Sequence, residues 1–256
     1  MAGDLQAGAD LALAQAAALR AGRALRDQQA ALGDVTATIG RDVKAAGDKA
    51  AEAIILGMLH DLSPHPILSE EAGWHREKDD DAAPHWVIDP LDGTGNYVRG
   101  VPVCCVSIAL MRGEAPHLGV VYDFNRDELI SGEVGKGAWL NGRAITVSDV
   151  SNKAAGTLGT GFTVRRDYST EALTAFAKLV APWRKVRMIG AAALSMAYVG
   201  IGRFDAHTED STMIWDVAAG AAIVEAAGGR VRIDPLDDAG IVNVYADNGR
   251  LPLDRE

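Results

Sequence analysis

Asp89 and Asp92 stand three residues apart in Asp89-Pro90-Leu91-Asp92-Gly93-Thr94, directly after the apolar run Trp86-Val87-Ile88. Two carboxylates at the end of a strand, followed by a glycine and a hydroxyl, suit a turn that holds a hard divalent cation against a phosphate. Two more acids sit where buried chain meets exposed chain: Glu70 after Ile67-Leu68, and Asp216 after Met213-Ile214-Trp215. Each alone reads equally well as a turn or cap residue, Asp216 as a helix cap. If they converge, their like charges require protons or cations. Oxygen donors without Cys or His pairs favour Mg²⁺ or Mn²⁺ over zinc. Two such ions about 4 Å apart bind both the attacking water and the leaving oxygen of a phosphate ester. Gly93 would let the backbone approach the phosphoryl oxygens, and Thr94 would orient a water. A helix starting at Asp216 would turn free N–H groups toward the anion. Other Mg²⁺ enzymes, a simple turn motif and a non-catalytic scaffold remain open from these residues alone.

The elements that must position these acids follow from periodicity. Ala-rich spacing predicts one helix over Leu5–Leu32, closed by Gly33, and a second over Val43–Asp61, with Asp34–Asp42 between them as an extended pair or loop. Lys78, Asp79, Asp80 and Asp81 read as a solvated loop. Trp86–Asp89, Val103–Met111, His117–Tyr122, Glu128–Ser131 and Ala138–Leu140 read as an antiparallel meander, with turn signals at Gly113, Asn125, Gly135 and Asn141-Gly142. A composition change near Ser148–Gly156 predicts a border between an N-terminal α+β half, 1–147, and a C-terminal α/β half, 148–256, that supplies Asp216. In the second half, strands are predicted at 157–160, 185–189, 203–207, 230–233 and 241–245, and helices at 169–180, 191–199 and from Asp216.

The chain has 256 residues, 48% of them hydrophobic, enough for a substantial core. Its net charge of −10 argues against a nucleic-acid surface, which needs clustered Lys and Arg. Cys104 and Cys105 are adjacent in an apolar run, so their side chains point to opposite faces of a strand and read as buried thiols of a reducing, cytoplasmic compartment. Neither a signal peptide nor a membrane span is expected.

These residues resemble the Mg²⁺-dependent, lithium-sensitive inositol monophosphatase family. The resemblance covers most of the chain. It is carried by WVIDPLDGTGNYVRGVP, by WDVAAGAAIVEAAGG from Trp215 to Gly229, by Glu70-Glu71, and by Asp48 with Glu52 four residues on. It implies an α+β fold, a layered α-β-α-β-α sandwich of the inositol monophosphatase/fructose-1,6-bisphosphatase type. It implies a phosphomonoesterase that cleaves a small polyol or sugar phosphate, most simply inositol monophosphate, by in-line attack of metal-activated water. Glu70, Asp89, Asp92, Asp216 and the carbonyl of Leu91 would bind two or three Mg²⁺ ions, with Mn²⁺ as a substitute. Glu70 and Thr94 would position the water, and Asp48 would polarise the Thr94 hydroxyl. Asp92, Gly93, Thr94, Ala193, Glu209 and Asp216 would contact substrate, Glu209 through its hydroxyls. The resemblance also implies a homodimer and a small phosphorylated metabolite as partner, with neither a nucleic-acid polymer nor a membrane. Related members hydrolyse 3′-phosphoadenosine 5′-phosphate, histidinol phosphate or fructose 1,6-bisphosphate, and a silent scaffold of the same fold is a further alternative. Two departures stand out: Gly190-Ala191-Ala192-Ala193 lacks the usual Ser, and Lys44 stands where Thr is common.

Overall fold

The computed structural model describes residues 2–39, 42–75, 82–237 and 240–252. The acidic run Lys78–Asp81 lies outside the described residues. The chain opens with α1 (Ala2–Asp27) and a one-turn α2 (Gln29–Leu32), then the hairpin β1 (Val35–Ile39) and β2 (Asp42–Ala45), then α3 (Ala46–Leu62). Next come β3 (Ile67–Ser69), β4 (Gly73–His75), β5 (Pro84–Asp92) and the short α4 (Thr94–Val98). The meander is β6 (Cys105–Arg112), β7 (Ala115–Asp123), β8 (Glu128–Glu133), β9 (Gly137–Leu140) and β10 (Arg143–Ile145). Beyond it lie β11 (Thr157–Thr160), α5 (Thr170–Val180), β12 (Lys185–Arg187), α6 (Ala192–Gly200), β13 (Ala206–Met213), α7 (Ile214–Ala226), β14 (Arg230–Pro235) and β15 (Ile241–Asp247).

Eight strands form one sheet in the order β10-β9-β8-β7-β6-β5-β3-β4, and five form a second in the order β12-β11-β13-β15-β14. The meander is antiparallel throughout, while β3 runs parallel to β5. On one face of the large sheet, Ala14, Ala18, Leu25, Ile55 and Leu59 of α1 and α3 pack against Trp86, Ile88 and Val120. On its other face, Val87, Ala109 and Val121 meet Leu194, Met196, Val217 and Ile223 of α6 and α7, which pack in turn on Val242 and Val244 of the second sheet. Val180 of α5 and Trp183 cover Leu158 and Ala206 on the far side. The result is the expected α-β-α-β-α layering. Alternation along each strand divides residues between the two cores. Trp86 and Ile88 enter one and Val87 the other, and Cys104 and Cys105 part in the same way, both as free buried thiols. Residues before 147 supply the large sheet and residues after 148 the second, and the core between the sheets draws on both.

Several boundaries differ from the sequence expectation, each for a tertiary reason. The first helix breaks at Gln28, because the Tyr97 hydroxyl donates to the Leu25 carbonyl at 2.7 Å and the Gln29 side chain donates to the Tyr97 carbonyl at 3.0 Å. The second helix begins at Ala46, not Val43, since Val43 and Ala45 are paired with Thr38 and Val35. The strand expected at 203–207 lies at 206–213, because the N–H groups of Arg203 and Phe204 both close α6 on the Tyr198 carbonyl. β10, unpredicted, pairs with β9 across the expected Asn141-Gly142 turn, where both residues adopt positive φ.

α7 crosses the large sheet where β7 has Gly119 and β8 has Gly132. A Cβ on Gly119 would collide with the Ala219 carbonyl group and stand 2.7 Å from its Cα. The helix backbone cannot yield locally, so Gly119→Ala is expected to destabilise the fold by about 1–3 kcal/mol. Urea unfolding reads this directly, and an unchanged midpoint would contradict the close approach.

Candidate active site

The acids are placed by one recurring device, the N-terminus of a helix. Asp48 is the third residue of α3, and its Oδ2 accepts the Ala45 N–H at 2.6 Å. Asp216 is the third residue of α7, which starts at Ile214, two residues earlier than expected. Its Oδ2 accepts the Met213 N–H at 3.1 Å and the Thr212 hydroxyl at 2.8 Å, so the cap role is real. Asp92 reaches across the chain to the first turn of α6 and accepts N–H groups from Ala192, Ala193 and Leu194 at 3.2, 2.9 and 3.4 Å. α6 begins at the Ala191-Ala192-Ala193 departure and has no side-chain cap of its own, so Asp92 supplies the missing acceptor. Free N–H groups and the helix dipole stabilise a carboxylate at each position.

β5 runs into the hexapeptide as far as Asp92 and bulges between Asp89 and Asp92. Asp89 is almost fully buried and accepts the Leu91 N–H at 2.9 Å. Gly93 turns the chain with φ 87°, where a Cβ would stand 2.9 Å from the Val103 carbonyl oxygen. Thr94 then donates to Asp48 Oδ1 at 2.9 Å and lies 3.0 Å from the Leu91 carbonyl. Glu70 follows β3, and its carboxyl interacts with that of Asp89. Lys44, on β2, forms ion pairs with Glu70 and, at 2.5 Å, with Glu71.

Burial and mutual repulsion perturb the whole group. Burial and the charges of Glu70, Asp92 and Asp216 hold Asp89 well above the usual carboxylate range. Burial and Asp216 raise Glu70, against the pull of Lys44. Burial pushes Asp92 up to about 6, opposed by the N–H groups of Leu194 and Ala193. Burial and Asp92 push Asp216 up to about 7. Burial lifts Asp48 to about 6 against its bonds from Ala45 and Thr94. Burial works against the Lys44 ammonium, but Glu70 and Glu71 outweigh it and raise its pKa.

Glu70, Asp89, Asp92 and Asp216 therefore feel one another, with Thr94 and Asp48 beside them as a bonded pair. Glu209, on β13, joins the group electrostatically. Burial, Asp216 and Asp92 raise its pKa to about 8. Ala193 contributes its backbone N–H to Asp92, while its side chain is fully buried between the sheets. Sequence reasoning missed Asn96, whose Nδ2 donates to the carbonyls of Val103 at 2.7 Å and Ile189 at 2.8 Å, tying the hexapeptide turn to the start of the α6 loop. Lys44, which stands where Thr is common, is paired with two acids. Among the described residues, no three His, Cys, Asp or Glu side chains are placed to hold one ion as they stand. The donor set nonetheless fits a hard divalent cation. It consists of buried carboxylates beside a carbonyl, and it has already drawn an ammonium against Glu70.

The sequence matches the model of the inositol monophosphatase family over residues 7–236. This chain belongs to that family. It is 42% identical over 196 residues to the protein called Nus factor SuhB in Pseudomonas aeruginosa, covering 75% of this chain and 72% of that one. It is 41% identical over 199 residues to inositol monophosphatase 1 of Solanum lycopersicum, covering 76% and 72%. The structure of inositol monophosphatase from Anabaena (Nostoc) sp. PCC 7120 superposes with a TM-score of 0.80 at 38% identity, covering 96% of this chain and 92% of that one. The family is one of divalent-metal-dependent phosphomonoesterases, and membership places this chain among its hydrolases. No helix among the described residues is long and apolar enough to cross a membrane.

A carboxyl whose pKa rises on folding costs stability at pH above its unfolded value near 4, and the cost fades as pH falls toward that value. Asp89→Asn removes one such charge. Without metal, the variant is expected to melt above the wild type at pH 8, with the gap shrinking toward pH 5. Saturating Mg²⁺ should stabilise the wild type and close or reverse the gap at pH 8. Thermal melts with EDTA and with Mg²⁺ check both, and a gap independent of pH and metal would contradict the electrostatic account.

Proposed function

We propose that this protein hydrolyses the phosphate ester of a small polyol or sugar, with inositol monophosphate as the leading substrate. The observation that carries the proposal is the Thr94 hydroxyl, donated to the buried Asp48 carboxylate 2.9 Å away and set beside the acids Glu70, Asp89, Asp92 and Asp216. In this reading those four acids and the Leu91 carbonyl hold two or three Mg²⁺ ions, or Mn²⁺ in their place. Bound there, the ions would supply a water of lowered pKa and neutralise charge on the phosphate and the leaving oxygen. Asp48 accepts the Thr94 proton and thereby turns the Thr94 oxygen lone pairs toward that water. Glu70, now paired with Lys44, would help hold the metal and orient the water bound to it. The Gly93 and Thr94 N–H groups face the phosphate. Asp92 and Asp216 border the alcohol, and Glu209 accepts its hydroxyls near Ala193.

The family match supports this reading, as does the name of the tomato relative. The name Nus factor belongs to the relatives that carry it, and the acid cluster is chemistry for a phosphate ester. A homodimer, inhibition by lithium and work in the cytoplasm are parts of the same proposal. The test is phosphate release with Mg²⁺ from inositol 1-phosphate, histidinol phosphate, fructose 1,6-bisphosphate and 3′-phosphoadenosine 5′-phosphate. Inositol 1-phosphate is expected to be turned over fastest. Asp89→Asn and Thr94→Ala are each expected to lower kcat by about 100-fold or more with the fold intact. Absence of turnover on all four esters with Mg²⁺ bound would overturn the proposal in favour of a silent scaffold.

A further inference from the structure

Glu209 is backed by two side chains that none of the motifs contains. His207 lies two residues before it on β13, so the two side chains share a face of the strand. His207 is fully buried. Its Nδ1 is 2.9 Å from Ser195 Oγ on α6, and its Nε2 is 3.8 Å from Glu209 Oε1. Nε2 has no hydrogen-bond partner among the described residues. A ring nitrogen buried and unsatisfied is costly unless it acts on what it faces, and it faces one carboxyl oxygen. The neighbouring strand makes room for all three groups. A Cβ on Gly159 of β11 would run into Ser195 Oγ and His207 Nδ1, and a Cβ on Gly161 would run into Glu209 Oε1. Ser195, His207 and Glu209 thus lie along a slot formed by two absent side chains. Burial holds the His207 pKa down to about 3, so the ring is neutral and one nitrogen carries hydrogen. A Ser195 hydroxyl that donates to Nδ1 would leave that hydrogen on Nε2, facing Glu209 Oε1.

We propose that Ser195 and His207 are positioning residues for Glu209, holding Oε1 so that its other oxygen accepts a hydroxyl of the substrate alcohol. The inference rests on the reading of Glu209 as the hydroxyl-binding group. It narrows the substrate class to phosphate esters whose alcohol carries further hydroxyls, over flat aryl esters that offer the same phosphate without them.

The test compares inositol 1-phosphate with 4-nitrophenyl phosphate, using the full chain and Mg²⁺. His207→Phe keeps a ring of similar size and removes both nitrogens. It is expected to raise KM for inositol 1-phosphate about tenfold, with kcat within about twofold and the aryl ester unaffected. Ser195→Ala should act in the same direction and less strongly. Gly161→Ala, whose new methyl meets the mobile end of Glu209 rather than backbone, should mimic His207→Phe. Nitrogen-15 NMR should find Nε2 of His207 protonated and Nδ1 accepting. Equal losses on both esters, unchanged KM on both, or a proton on Nδ1 would overturn the proposal. If Glu209→Gln leaves the ratio between the two esters unchanged, the hydroxyl-binding reading falls and the inference with it. If Glu209→Gln shifts that ratio and His207→Phe does not, only the positioning role falls. Should His207→Phe not fold, Ser195→Ala, which removes one hydroxyl, carries the same comparison.

Discussion

The rest of the structure depends on keeping several carboxylates together in a nearly dry interior. Burial raises every one of them, and the charges of Glu70, Asp92 and Asp216 raise their neighbours further. The fold answers with oriented N–H groups. α3, α6 and α7 each end at an acid, Asp48, Asp92 and Asp216 respectively, and each acid takes N–H hydrogens from that helix end or the residue before it. Hydrogen bonds to a charged acceptor are worth about 1.5–3 kcal/mol apiece. That contribution offsets part of the burial cost without any counter-charge, and Lys44 beside Glu70 adds one.

Because α6 and α7 also fill the space between the sheets, packing and electrostatics are one problem here. α7 presses close enough on the large sheet to need Gly119 and Gly132 beneath it. That approach fixes where the helix begins, and therefore where Asp216 stands. Nearby, the turn after β5 is clasped by Asn96 to the segment that leads into α6. The depth of the acids thus follows from how tightly small residues let helices and strands approach, in a chain with few aromatics to hold them apart.

Much of this was legible in the sequence. The apolar run Trp86-Val87-Ile88 marked a strand, and Asp89, Asp92 and Thr94 after it marked the site. Periodicity also located α3, α5, α6 and the meander. What periodicity could not show was tertiary. The break at Gln28 depends on the Tyr97 hydroxyl, about seventy residues away. The cap on α6 is a side chain from β5, so the run Ala191-Ala192-Ala193 looks deficient when read alone. Lys44 sits in a stretch with no local signal for its partners, because those partners lie beyond an intervening helix. The Ser195–His207 contact joins a helix to a strand and belongs to no contiguous motif.

Asp92 leaves the ribosome long before the helix that satisfies it, since the N–H of Ala193 lies 101 residues further along the chain. A partly synthesised chain therefore carries the complete hexapeptide while the carboxylate at its centre still lacks its acceptor-satisfying helix. The site is complete only with α6 and α7 between the two sheets, because Ala193 and Asp216 come from those helices.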